Sequence, residues 1–340
     1  MDSEQRRLHA VGGPEEVRHT FETALFEVKR VIVGQEQMLE RVFVALLADG
    51  HILLEGVPGL AKTMTIKAVS DVLGGQFRRI QFTPDLVPSD LVGTRIYRAD
   101  RHAFETELGP VFCNFLLADE INRAPAKVQS ALLEVMQERQ VTIGPETFKS
   151  PHPFLVLATQ NPIESEGTYP LPEAQVDRFM FKTVVDYPSD REEVAVVDRS
   201  LEEPPEIEQV LSPERLVEAQ AATREVFVDR AVNEYAVALV GATRRPEQYG
   251  LGDISQYIEF GASPRGSINL IHGGRALALL RGRGFVLPED VRALALDVMR
   301  HRLVLTYEAL AEGVGPDSLL ERIVDAVPVP EVTLTRTEVA

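Results

Sequence analysis

Lys62 and Thr63 close a loop of sequence Gly56-Val57-Pro58-Gly59-Leu60-Ala61-Lys62-Thr63, which is entered from an apolar run, His51-Ile52-Leu53-Leu54, and left through Met64 into a helical pattern reaching Leu73. Strand, glycine loop, Lys-Thr and helix is the order a phosphate cradle needs. Backbone N–H groups at a helix start concentrate partial positive charge, a lysine adds a full charge, and a threonine hydroxyl can ligate Mg2+. Some 56 residues beyond Thr63 the apolar run Phe115-Leu116-Leu117-Ala118 ends in Asp119-Glu120. A cation-lined phosphate loop and a pair of carboxylates at a strand end are the two halves of a nucleoside triphosphatase site. Lys62 would hold the β- and γ-phosphate oxygens. Thr63 and Asp119 would hold Mg2+, Asp119 directly or through water. Glu120 would act as general base on the attacking water, its plainer alternative being an acid placed at a helix start for the dipole. Ala61 stands where the strict motif has glycine, and close approach of phosphate is expected to survive if its φ is negative.

Other polar groups fall at element ends. Thr159-Gln160-Asn161-Pro162 ends the apolar run after the acidic one, where an amide could orient water; the alternative is an Asn-Pro turn. Pro172-Glu173-Ala174-Gln175-Val176-Asp177-Arg178-Phe179 sets an arginine just before the last apolar run. Gly261-Ala262-Ser263-Pro264-Arg265 reads as a helix start, with Ser263 as cap and Pro264 in the first position.

The elements that must position these groups alternate. Strands are predicted at 51–55, 77–82, 114–119, 154–159 and 180–185, and helices at 14–31, 37–49, 63–73 and 125–138. That alternation predicts a parallel sheet covered on both faces. Two inserts interrupt it: 83–110, read as a short helix and a hairpin over 94–107, and 139–153, read as a hairpin turning at Gly144-Pro145. From Asp186 to Glu214 ten acidic residues face two arginines amid prolines, which reads as a solvated connection. Beyond it the periodicity is helical, at 264–281 and 288–302 among others, with one candidate strand at Glu331–Leu334. The fold class is therefore α/β, a P-loop core with a C-terminal all-helical lid. The divisions are a tail over 1–14, a core over 15–188, a lid over 189–330 and a tail over 331–340.

Bulk properties narrow the field. The 340 residues are 44% hydrophobic and 26% charged, as in globular proteins. No apolar run approaches the roughly 20 residues that span a bilayer, so no membrane insertion is expected. The start of the chain lacks the apolar core of a secretory signal, and the single Cys113 suits a reducing cytoplasm. A formal charge of −17 argues against broad nucleic-acid binding. The seven histidines show no metal-ligand spacing, which leaves Mg2+ arriving with nucleotide as the expected ion.

Taken together, the phosphate loop with alanine before Lys62, the run Asp119-Glu120-Ile121-Asn122-Arg123-Ala124-Pro125, Thr159-Gln160-Asn161-Pro162, the Pro172–Phe179 run and Gly261–Arg265 closely resemble the AAA+ ATPases, and within them the MoxR family. The resemblance covers about 15–330, and the two inserts sit where that group carries a helix-2 insertion and a hairpin before its sensor strand. It implies ATP as ligand, held by Gly56, Val57, Pro58, Gly59, Leu60, Ala61, Lys62, Thr63 and Met64. Val33, Gly34 and Gln35 would line the adenine pocket. Asn161 resembles the first sensor, and Arg178 an arginine finger offered to a neighbouring subunit, with a salt bridge to Asp177 or to a lid carboxylate as its alternative. Arg265 resembles the second sensor, reading the γ-phosphate from the lid; Arg123 would face a neighbour or pair locally. The resemblance further implies a homohexameric ring and chaperone-like remodelling of client proteins or metalloenzyme complexes, with a separate von Willebrand factor A domain protein as partner. A magnesium-chelatase-like subunit is a variant of that reading. A nucleic-acid-directed motor and a nucleotide-gated scaffold without turnover are the alternatives.

Overall fold

The computed structural model describes residues 13–57, 59–162, 167–203 and 205–332. Helices α1 (Pro14–Val31) and α2 (Glu36–Leu47) come first, then strand β1 (Ile52–Glu55), helix α3 (Lys62–Leu73) and strand β2 (Phe77–Gln81). Helix α4 (Pro88–Val92) leads into the hairpin β3 (Gly93–Arg98) and β4 (Ala103–Leu108). Strand β5 (Phe115–Asp119), helix α5 (Ala126–Glu138) and the hairpin β6 (Gln140–Ile143) and β7 (Glu146–Lys149) follow. The core closes with β8 (Leu155–Gln160), the single turn α6 (Glu173–Val176) and β9 (Phe181–Val184). Next come α7 (Asp190–Ser200), α8 (Pro213–Glu225), α9 (Arg230–Arg244), β10 (Ile258–Phe260), α10 (Pro264–Leu280), α11 (Pro288–Met299), β11 (Val304–Leu305), α12 (Tyr307–Ala311) and α13 (Pro316–Ala326).

The five predicted core strands form one parallel sheet in the order β2-β5-β8-β1-β9. Alternate residues face opposite layers, as the pleat requires. Ile52, Leu54, Phe115, Leu117, Leu155 and Leu157 pack into a cluster with α1, α2, α3 and the C-terminal helices. Leu53, Leu116, Ala118, Val156 and Ala158 pack instead with Val128, Leu132 and Leu133 of α5. Continuous apolar strands are what a sheet buried on both sides needs.

The lid shares the first cluster, and polar bonds cross the same seam. Gln220 Nε2 donates to the Leu46 carbonyl at 2.7 Å. Arg41 of α2 donates to Asp297 of α11 at 2.7 Å, and Arg300 holds the other oxygen of Asp297 at 2.7 Å.

Both inserts are hairpins, and they touch: Thr106 Oγ1 donates to Glu146 Oε2 at 3.2 Å. Three expectations need correction. The acidic stretch after Asp186 contains a helix, α7, capped by a reciprocal Ser189–Glu192 box. Helix α7 has no buried residue and is as solvated as its composition suggested, whereas Leu211 further along the stretch is buried in the core. The helical region also contains the antiparallel pair β10 and β11, too short for alternation to register. The strand expected at Glu331–Leu334 does not form at Glu331 or Val332, and 333–334 lie outside the described residues.

Candidate nucleotide site

The phosphate loop leaves the C-terminal end of β1, and α3 begins at Lys62. Gly56 is dictated by crowding: a Cβ there would lie 2.7 Å from the carbonyl oxygen of Val185, just past β9. Gly59 has φ +87°, in the region favouring glycine. Pro58 lies outside the described residues. The negative φ on which the reading of Ala61 depended is not found: its φ is +54°. The residue caps α3 in the left-handed conformation that the strict motif's glycine would adopt freely, at a cost of about 1–2 kcal/mol for alanine. Lys62 Nζ folds back onto the loop, donating to the carbonyls of Gly56 at 2.6 Å and Val57 at 3.2 Å. Burial lowers its pKa, opposed by the charges of Asp119 and Glu120.

A cavity of about 430 Å³ opens at this loop, lined by Gly59, Leu60, Ala61, Lys62, Thr63, Met64, Arg79, Gln81, Asp119, Glu120, Thr159 and Asn161. The sheet order explains the gathering. β8 lies between β1 and β5, so their C-terminal ends bring Lys62, Asn161 and the Asp119-Glu120 pair to one edge. Thr159 Oγ1 donates to Asp119 Oδ1 at 2.6 Å and accepts from the Glu120 N–H at 2.8 Å, so one hydroxyl locks both acids. Glu120 has φ +54°, which turns the chain sharply after β5. Arg123 pairs locally, with its Nε 2.8 Å from Glu120 Oε2.

Two lining residues were missed by sequence reasoning. Arg79 donates from Nε and Nη2 to Asp119 Oδ2 at 3.1 and 2.7 Å. Gln81 accepts from Arg79 Nη2 at 2.9 Å and donates to Glu120 Oε2 at 2.8 Å. Their signal was available as two polar residues, i and i+2, on one face of a strand next to the acidic one.

Val33–Gln35 lie near the same edge of the sheet. Gln35 Nε2 donates to the Asp186 carbonyl at 3.0 Å, and Gln35 lines a neighbouring cavity of about 350 Å³ with Tyr187 and Pro188. Gly34 has φ +65° and packs against the Glu192 side chain.

Arg178 and Arg265 lie elsewhere. Met180 N–H donates to the His51 carbonyl at 2.8 Å, and a Cβ on Gly50 would strike Met180, so this segment sits at the N-terminal end of β1. Phe181 is in register with Ile52 and Val184 with Glu55. At about 3.3 Å per residue, strand alone puts about 10 Å between the level of Phe181 and the start of the phosphate loop. Neither arginine lines the 430 Å³ cavity. The Arg178 Nε is buried with no hydrogen-bond partner among the described residues. Asp177 does not pair with it; Arg265 Nη1 at 3.2 Å and Arg302 Nε at 2.8 Å take that carboxylate.

Comparison with known proteins now decides the family. The chain is 58% identical over 314 residues to Chaperone MoxR1 of Mycobacterium tuberculosis, covering 92% of this chain and 83% of that protein. The chain belongs to the MoxR family of AAA ATPases. Protein MoxR of Paracoccus denitrificans is 34% identical to this MoxR chain, over 91% of it and 96% of the relative. The family model for the ATPase family associated with various cellular activities matches residues 51–181, and that for the AAA lid domain matches 253–323. A crystal structure of a candidate ATPase from Cytophaga hutchinsonii superposes with a TM-score of 0.88 at 46% identity, covering 94% of this chain and 97% of that one. Family membership implies nucleotide binding.

The donor set fits Mg2+. Asp119, Glu120 and Thr63 offer hard oxygens to the cavity. Asp119 Oδ1 keeps a lone pair beyond the bond it accepts from Thr159, whereas the two donors of Arg79 occupy Oδ2. No group of three or more His, Cys, Asp or Glu is placed to hold a metal among the described residues, so the ion would complete its shell from phosphate and water. No helix among them is long and apolar enough to cross a membrane.

Proposed function

We propose that this MoxR-family chain hydrolyses ATP at a site shared between neighbouring copies in a ring, six by family resemblance, and uses the cycle to remodel client proteins. One observation carries the reading: Lys62, Thr63, Asp119, Glu120 and Asn161 line one cavity, whereas Arg178 lies at the opposite end of the sheet. A finger that cannot serve its own phosphate loop is available to the next copy's.

The residues then take these parts. Lys62 exchanges its two loop carbonyls for β- and γ-phosphate oxygens, and the loop N–H groups bind the rest. Thr63 and Asp119 would hold Mg2+, which supplies charge neutralisation at the phosphates. Glu120 accepts the proton of the attacking water, oriented by Gln81 and Arg123 on its Oε2. Asn161 positions that water. Val33–Gln35 line the adenine side. Arg178 stabilises the charge that develops on the neighbour's γ-phosphate, a contribution of 10³–10⁵ in rate in comparable enzymes, about 4–7 kcal/mol. Arg265, on the same edge as Arg178, acts with it rather than on its own protomer's phosphate.

The core over 15–188 and the lid over 189–330 would rearrange on phosphate loss, moving the paired hairpins against a client. The relative named Chaperone MoxR1 supports a chaperone role. Metalloenzymes or complexes as clients, a von Willebrand factor A domain partner and a cytoplasmic setting complete the proposal. The hairpin cations do not favour nucleic acid, since Arg98 and Arg101 are both held by Glu105 and Arg95 lies over Phe104.

Phosphate release against protein concentration tests the shared site. Specific activity should rise as copies assemble, and Arg178→Ala should abolish turnover at unchanged affinity for a fluorescent ATP analogue. Full turnover by Arg178→Ala, or constant specific activity at every dilution, refutes it.

A further inference from the structure

Three lid side chains converge on one core carboxylate, that of Asp177. Ser263 Oγ, the N-cap of α10, lies 2.8 and 3.0 Å from the two oxygens of Asp177. Arg265 Nη1 donates to Asp177 Oδ2 at 3.2 Å. Arg302 donates from Nε to Oδ1 at 2.8 Å and from Nη2 to the Asp177 backbone carbonyl at 2.9 Å. The Arg302 side chain is fully buried, and its remaining donors go to the carbonyls of Phe179, Met180 and Val298. Burial pushes its pKa down to about 10, and Asp177 resists that shift. No other carboxylate pairs with Arg302 among the described residues.

Asp177 immediately precedes Arg178. The start of the lid helix that carries Arg265 is therefore fastened to the residue next to the finger, at the end of the sheet away from the protomer's own phosphate loop. Arg302 serves as a rigid bolt, donating to three carbonyls of the same segment, those of Asp177, Phe179 and Met180, which flank Arg178.

We propose that Asp177 is a positioning residue that presents Arg178 and Arg265 as one unit to the neighbouring copy, with buried Arg302 fixing the segment between lid and core. The inference rests on the shared-site reading above. It adds that the two arginines are delivered together, through a carboxylate that touches no nucleotide. Loss of Asp177 charge should therefore impair the protomer that lends the arginines and spare the protomer that binds the ATP.

Mixed oligomers separate the two roles. An acceptor carrying Arg178→Ala keeps its phosphate loop, and a donor carrying Lys62→Ala keeps its arginines. Each is inactive alone, and the mixture should regain ATPase activity. Asp177→Asn in the donor should lower that regained activity at least tenfold, to the level given by Arg265→Ala in the donor. The same change in the acceptor should leave it within about twofold. The Asp177→Asn single mutant should also bind a fluorescent ATP analogue within twofold of the unmutated chain. Asparagine retains an acceptor for Arg302 and Ser263, and Ser263→Ala, which unfastens α10 without uncovering Arg302, should weaken only the donor if Asp177→Asn fails to fold. Equal loss from either side, or no loss from the donor, overturns the Asp177 proposal while the shared site stands. Failure of the unmodified donor and acceptor to complement overturns both.

Discussion

Replacing His51 with glutamine should make the protein less stable at neutral pH and more stable in acid, with the two stability curves crossing near pH 5. His51 sits at the start of β1 and is 5% exposed. Its Nδ1 accepts from the Val156 N–H at 3.0 Å, and its Nε2 lies 3.2 Å from the Met136 carbonyl. Those partners specify the neutral tautomer protonated on Nε2. Burial, then the nearby Arg139, lowers its pKa from 6.5 to about 3. The folded value lies below the unfolded one, so stability is fully present above pH 6.5 and is lost as pH falls towards 3. Each pH unit in that window costs up to about 1.4 kcal/mol, which gives about 2 kcal/mol at pH 5 and a ceiling near 5. Glutamine offers one acceptor and one donor of similar reach and cannot protonate. It forfeits the edge-on contact with Phe154, whose ring centroid is 5.7 Å away. That contact and the smaller side chain put the neutral-pH cost at about 1–2 kcal/mol. Urea unfolding of both proteins at pH 7.5, 6, 5 and 4 measures the difference directly, and other titrating groups cancel between them. Parallel curves over this range would mean that His51 charges freely in the folded protein and would refute the reasoning.

Three further outcomes follow from the same geometry. Ala61→Gly should raise stability by about 0.5–1 kcal/mol, because relief of the left-handed alanine outweighs the extra freedom of glycine in the unfolded chain; a fall in the thermal midpoint contradicts the φ of +54° at this position. Arg79→Met should leave stability within about 1 kcal/mol, since the arginine is half exposed, yet should shift the Mg2+ dependence of ATP-analogue binding to lower concentration by releasing Asp119 Oδ2; an unchanged magnesium titration counts against Asp119 as the metal-facing acid. Arg41→Ala should cost about 3 kcal/mol in chemical unfolding, the lower end for a broken buried pair, because Arg300 still partners Asp297; a loss below about 1 kcal/mol would show that the α2–α11 seam is held by packing alone.

The parallel sheet and the gathering at its C-terminal edge were legible because they follow from long-range patterns of apolar runs and from a motif whose residues are contiguous. What escaped depends on pairings that periodicity does not encode. Arg79 and Gln81 lie on an edge strand where polar residues are unremarked, and only the adjacency of β2 to β5 turns them towards the acids. Asp177 reads as one acid within a motif, yet its partners are 86, 88 and 125 residues away. The positive φ at Ala61 was hidden because an alanine signals no backbone preference of its own there. Helix α7 carries a Ser189–Glu192 capping box that is readable in the sequence, but it buries no face, so no apolar stripe marks its length. β10 and β11 span three and two residues, below the length at which alternation means anything.

Strands that all run one way give a slab with a head and a tail. Here the head holds the phosphate loop and the tail holds the arginines. On the shared-site proposal, two copies meeting end to end about a twofold axis would set head against head or tail against tail, and neither meeting completes a site. A nose-to-tail procession does so at every junction, and a procession that fails to close leaves one terminal copy permanently unserved. On that proposal, the one-way grain of the sheet suits circular closure, in which every copy both lends and receives.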